Sequence, residues 1–116
     1  MTVVALVSDL AMQSQLNGAA ARASVVVNVA SSVEALLQRV AAEPPTAAIL
    51  DLSHPGLDPG PLVERIRALA PGLPVIAFGP HVHHERLAAA RQAGCEPVVS
   101  RGQFHAEMDA ILKRLG

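Results

Sequence analysis

Tryptophan and tyrosine are absent from this 116-residue chain, and phenylalanine occurs only twice. So few rings leave no stacking platform for single-stranded nucleic acid. Any core must be filled by Val, Leu, Ile and Ala. Cysteine occurs once, as Cys95, which excludes an internal disulfide and a multi-cysteine zinc site. It also suits a reducing compartment, so a cytoplasmic location is expected. Neither sign of charge dominates. The formal net charge is −1 and no basic stripe is present, which argues against DNA or RNA as a partner. Long hydrophobic runs are missing too. The apolar run at 3–7 is too short to cross a membrane and has no basic flank, so neither a signal peptide nor a membrane anchor is expected.

Several catalytic signatures are also missing. The chain has no G-x-G-x-x-G, no G-x-x-x-x-G-K-[ST] and no G-x-S-x-G. Nucleotide binding is therefore unsupported, and Ser53 and Ser100 lack the setting of a hydrolase nucleophile. The segment "HERLA" at 84–88 lacks the second histidine of a zinc-protease motif.

What is present is a rhythm. β-Branched runs occur at 3–7, 24–29, 47–50 and 74–78, with a weaker one at 97–100. The first, third and fourth are continuously apolar, as suits strands buried on both faces of a parallel sheet. Helical spacing fills the gaps. A first helix is expected from Leu10 to about Ala21, although Asn17-Gly18 interrupts its pattern. Ser31 and Glu34 read as a capping box ahead of Val33, Leu36, Leu37 and Val40. Pro61 reads as a first helical residue ahead of Leu62, Val63, Ile66 and Leu69, and "PGLP" at 71–74 ends that helix. An alanine-rich helix is expected over 85–93, stopped by Gly94. The last carries Phe104, Met108, Ile111, Leu112 and Leu115 on one face.

Five β-α units in one chain predict a single domain over residues 1–116. Right-handed crossovers predict a parallel five-stranded sheet between helical layers, flavodoxin-like, in the order 2-1-3-4-5. Sites in such folds lie beyond the carboxyl ends of the strands. Those ends carry Ser8-Asp9, Asp51, Gly79-Pro80 and Ser100-Arg101. Asp9 and Asp51 end neighbouring strands in that order, so their carboxylates are expected to converge. Two carboxylates repel unless a cation or a proton separates them, and hard oxygen donors suit Mg²⁺. The plainer alternative is that each Asp caps the helix after it.

These segments resemble the receiver domain of bacterial two-component response regulators, the CheY-like family. "ILDLSHPGLDPG" at 49–60 is similar to that family's phosphoacceptor segment, with Pro55 and Asp58 in place. "LVERIRALAPGLPVIAF" at 62–78 and "LAAARQAGCEPVVSRG" at 87–102 match its later units. The resemblance implies that Asp51 accepts a phosphoryl group from a kinase histidine. It implies that Asp9, Asp51 and the backbone carbonyl of Ser53 hold Mg²⁺. Ser8 stands where a second acidic residue is usual.

Departures from the family pattern cluster at the same edge. A strand-four Thr or Ser is replaced by Gly79, and the next backbone N–H is lost at Pro80. Arg101 stands at the lysine position, and Val98 at the aromatic switch position. The resulting expectation is an atypical or pseudo-receiver, not an enzyme beyond phosphoryl acceptance and loss at Asp51. It would act by contact with a histidine kinase or another signalling protein, or as a homodimer through its helix 4–strand 5–helix 5 face. Weak Mg²⁺ binding and a resting Arg101–Asp51 ion pair are part of this expectation. A working phosphoacceptor is the first alternative. The second is a histidine-rich metal module or pH sensor built from His54, His81, His83, His84 and His105. Cys95 reads as a small packing residue.

Overall fold

The computed structural model describes residues 1–115; Gly116 lies outside them. Five strands and five helices alternate: β1 Thr2–Leu6, α1 Leu10–Arg22, β2 Val26–Ala30, α2 Val33–Ala42, β3 Ala47–Asp51, α3 Pro59–Leu69, β4 Val75–Gly79, α4 His84–Gln92, β5 Val98–Ser100 and α5 Arg101–Leu115. All pairings are parallel and the sheet order is β2-β1-β3-β4-β5. The architecture is the flavodoxin-like α/β fold expected from the spacing.

Strand pleating explains why continuous apolar runs were needed. Val4 and Leu6 of β1, Ala48 and Leu50 of β3, and Val75 and Ala77 of β4 face a core shared with α2, α3 and α4. Their neighbours Val3, Ala5, Ala47, Ile49, Ile76 and Phe78 face a second core shared with α1 and α5. Side chains alternate across a sheet, so a sheet covered on both faces wants an apolar residue at every position. The two phenylalanines meet in the second core. Phe78 and Phe104 stack with ring centroids 4.2 Å apart and planes 6° from parallel.

Element ends depart from the sequence expectation in instructive ways. The cap of α2 is Ser32, not Ser31: the Ser32 hydroxyl accepts from the Ala35 N–H at 3.1 Å. Either serine could cap, and the register that buries Leu36, Leu37 and Val40 selects the later one. Helix α3 begins at Pro59, two residues before Pro61, because Pro59 is itself buried and has a φ suited to a first turn. Helix α4 runs from His84 to Gln92 and gives way at Gly94, whose φ of +98° favours glycine. Helix α1 continues through Gly18, carried by its buried face of Met12, Leu16, Ala19 and Ala20.

Candidate functional site

Asp51 is the last residue of β3 and is completely buried, the only buried charged side chain among the described residues. Its Oδ1 accepts two bonds from Ser53, one from the backbone N–H at 3.0 Å and one from the hydroxyl at 2.6 Å. Its Oδ2 is buried and has no hydrogen-bond partner. The turn after the strand closes with a bond from the His54 N–H to the Asp51 carbonyl. A β-strand therefore delivers a carboxylate to the sheet's edge, and a tight turn fixes one of its oxygens and leaves the other bare.

Asp9 lies beyond the end of β1 and caps α1. Its Oδ1 accepts from the Ala11 N–H at 2.9 Å and from the Met12 N–H at 3.4 Å. Its Oδ2 accepts from the Arg101 guanidinium. The helix-cap reading of Asp9 and its role at the strand-end edge thus coexist. Ser8 beside it is exposed.

The expected Arg101–Asp51 pair does not form. Arg101 opens α5, which packs beside α1 on one face of the sheet. The neighbouring N-termini of these two helices bring Arg101 to half-exposed Asp9, whereas Asp51 is sealed within the edge. Ser100 caps α5 by accepting from the Gln103 N–H at 3.1 Å. Asp9 and Arg101 line an open cleft of about 330 Å³ with Ala11, Met12, Gln15 and His105; Asp51 is not among its lining residues.

Across the edge, Gly79 ends β4. A Cβ built there would meet the Leu52 Cβ at 3.1 Å. Leu52 is fully buried and extends the β3–β4 pairing, its N–H donating to the Phe78 carbonyl at 2.8 Å. Pro80 follows with no N–H to offer, and its carbonyl accepts from the His83 N–H at 2.9 Å. Val98 is half-buried and packs against the α2–α3–α4 core.

Arg86 of α4 donates to the Leu52 carbonyl, which ties that helix to the loop following Asp51. No spacing signal in the sequence marks this contact, because it joins residues 34 positions apart through a turn of the chain.

The histidines do not assemble into a metal site. Among the described residues, no three His, Cys, Asp or Glu side chains come together to hold a metal ion. The Nδ1 of His54 lies 2.9 Å from the Pro55 carbonyl oxygen, and that of His105 lies 2.8 Å from the Gln15 side-chain oxygen. His105 sits in the second turn of α5, while His81, His83 and His84 stay on exposed backbone around the start of α4. The histidine-rich metal module therefore lacks its ligand set: one shared edge does not bring five separate loop and helix positions to a point.

The Mg²⁺ expectation meets a related difficulty. Of the four carboxylate oxygens of Asp9 and Asp51, only Asp51 Oδ2 is without a partner. Mg²⁺ requires near-octahedral oxygen donors at short range. With Arg101 in place the donor set does not fit that ion.

No family model matches the chain, and no curated relative matches it. Solved structures do. A provisionally assigned response regulator from Chloroflexus aurantiacus J-10-fl superposes with a TM-score of 0.84 at 24% identity, over 98% of this chain and 95% of that one. A CheY-like protein (TadZ) from Pseudomonas aeruginosa PAO1 is 27% identical, with a TM-score of 0.75 over 100% of this chain and 99% of that one. The receiver domain of the sensor histidine kinase PA1611 from the same organism reaches 0.81 at 19% identity, over 98% and 95%; that structure holds a magnesium ion in its active-site cleft. The fold this chain shares with these structures, five parallel strands in the same wound order, is that of CheY-like response-regulator receiver domains. Among the described residues, no helix is long and apolar enough to cross a membrane.

Proposed function

We propose that this chain is a pseudo-receiver of bacterial two-component signalling, a cytoplasmic module that works by binding a protein partner. Phosphorylation of Asp51 is weak or absent. One observation carries this reading: the position facing the acceptor strand is Gly79, backed by the Leu52 Cβ and followed by Pro80. The hydroxyl and the N–H that would grip a phosphoryl group are both missing there. A hydrogen bond to a charged group contributes about 1.5–3 kcal/mol, so two lost donors remove roughly 3–6 kcal/mol from the phosphorylated state. Moving a two-state equilibrium from 1:99 to 99:1 takes about 5.5 kcal/mol. The deficit is as large as the whole switching energy, and phosphorylation would leave the distant face little changed. Partners fitting this reading are a histidine kinase, another signalling protein, or a second copy meeting the α4–β5–α5 face. Mg²⁺ binding at Asp9, Asp51 and the Ser53 carbonyl belongs to the same reading and is weak, because the ion has to displace Arg101 from Asp9.

A working phosphoacceptor is the rival, favoured by the bare Oδ2 of Asp51, which has the lone pairs an attacking carboxylate needs. Acetyl phosphate with Mg²⁺, followed by intact mass and size-exclusion chromatography, separates the two. The pseudo-receiver shows no mass gain and no change in size. A gain of about 80 Da that disappears in Asp51→Asn establishes the phosphoacceptor.

A further inference from the structure

The geometry points to Arg101 as a tethered cation that takes the place of a divalent metal against Asp9, so that the strand-end edge admits a metal only when Arg101 withdraws. This rests on the receiver reading of that edge and adds an autoinhibitory contact to it.

Three observations support it. Both oxygens of Asp9 are already engaged: the α1 cap uses Oδ1 and the Arg101 guanidinium uses Oδ2. Ser8 supplies no charge beside Asp9, so Asp9 faces one permanent positive charge on the protein itself, that of Arg101. Asp51 keeps a buried oxygen with no partner, which marks a place prepared for a positive group or a proton that Arg101 does not reach. A guanidinium stays charged at any working pH and is weakly hydrated. Mg²⁺ sheds its water reluctantly. A tethered guanidinium therefore holds Asp9 without the dehydration a metal requires. A divalent ion entering beside it would meet like-charge repulsion as well as a carboxylate already engaged.

The contact also joins α1 to α5 across the edge, because Asp9 is the cap of one helix and Arg101 the first residue of the other. Release of Arg101 frees the first turn of α5 and leaves the cap of α1 intact, since the cap uses the other oxygen.

The test is Mn²⁺ binding read by electron paramagnetic resonance, which needs neither phosphodonor nor an aromatic reporter. Arg101→Met and Arg101→Gln are expected to bind Mn²⁺ about 5-fold more tightly than the wild type, the upper end of what a half-exposed ion pair contributes. Adding Asp9→Asn to Arg101→Met should abolish the gain. In the wild type, titration with Mg²⁺ should move the ¹⁵N resonances of the Arg101 side chain before those of the α1 cap amides, a readout that involves no substitution. Equal Mn²⁺ affinity in wild type and both Arg101 variants overturns the inference. So does a gain that survives Asp9→Asn, or an Arg101 side chain that stays in place while metal binds. A wild type that takes up phosphate from acetyl phosphate would refute the pseudo-receiver reading and leave these Mn²⁺ ratios as they are.

Discussion

The Leu52 Cβ stands 3.1 Å from where a side chain at Gly79 would begin. A side chain there would be tight against Leu52, which would have to give by a few tenths of an ångström. Restoring that hydroxyl is expected to strain the edge. Gly79→Thr should cost about 1–3 kcal/mol of stability, the usual penalty for overfilling a packed site. Leu52→Ala should not relieve it, because alanine keeps the offending Cβ. Urea denaturation of the two single variants and the double variant measures this. A neutral Gly79→Thr would show that the strands separate easily.

Asp51 Oδ2 is buried without a hydrogen-bond partner, so its desolvation is not repaid by any contact. Asp51→Asn should raise the unfolding free energy by about 1–3 kcal/mol. It removes the charge and retains an oxygen for the two Ser53 donors. Asp51→Ala should be less stable than Asp51→Asn, since it leaves the Ser53 N–H and hydroxyl without their acceptor. Guanidinium chloride midpoints at neutral pH rank the three proteins.

The two roles of Asp9 separate by substitution. Asp9→Ser keeps a cap and loses the ion pair, whereas Asp9→Ala loses both. The cap contributes about 0.5–2 kcal/mol and a half-exposed ion pair about 0–1 kcal/mol. Asp9→Ser should therefore lie close to the wild type, with Asp9→Ala below it. Thermal melts followed by far-ultraviolet circular dichroism report the order.

Burial pushes the Cys95 thiol up to about 11, partly offset by the nearby Arg67 guanidinium. The thiolate fraction at mildly alkaline pH is then roughly 100-fold below that of the same thiol in the unfolded chain. Alkylation by iodoacetamide should be slow in the native protein and fast in urea. The sign for stability follows. Below the ordinary thiol range both states are protonated and the shift contributes no pH dependence. As pH rises from about 9 to about 11 the unfolded thiol ionises first, so stability declines across that window. A Cys95→Ala variant, which has no thiol to ionise, should show a smaller decline.

Much of the fold was legible because it depends on local pattern. Continuous apolar runs at 3–7, 47–50 and 74–78 fall on strands covered on both faces, and the strand order follows from the β-α rhythm. Element ends were less legible. Ser31 and Ser32 are equivalent as local caps, and only the packing of Leu36, Leu37 and Val40 chooses between them. At the candidate site, the residue types at the strand ends were readable and their pairings were not. Arg101 was expected on Asp51 and lies on Asp9, because the packing of α1 against α5 sets its reach.

The sequence by itself determined a parallel sheet in two-sided cover, an acidic residue at the end of β3, and a glycine and a proline at residues 79 and 80. Each of these is written in residue identity or in short-range periodicity. Tertiary structure alone decided that the Leu52 Cβ lies close against Gly79, that Arg86 reaches the Leu52 carbonyl, and that one oxygen of Asp51 stays bare. Those contacts join residues far apart in the chain, and their distances depend on how strands register and helices lean. No local pattern encodes that.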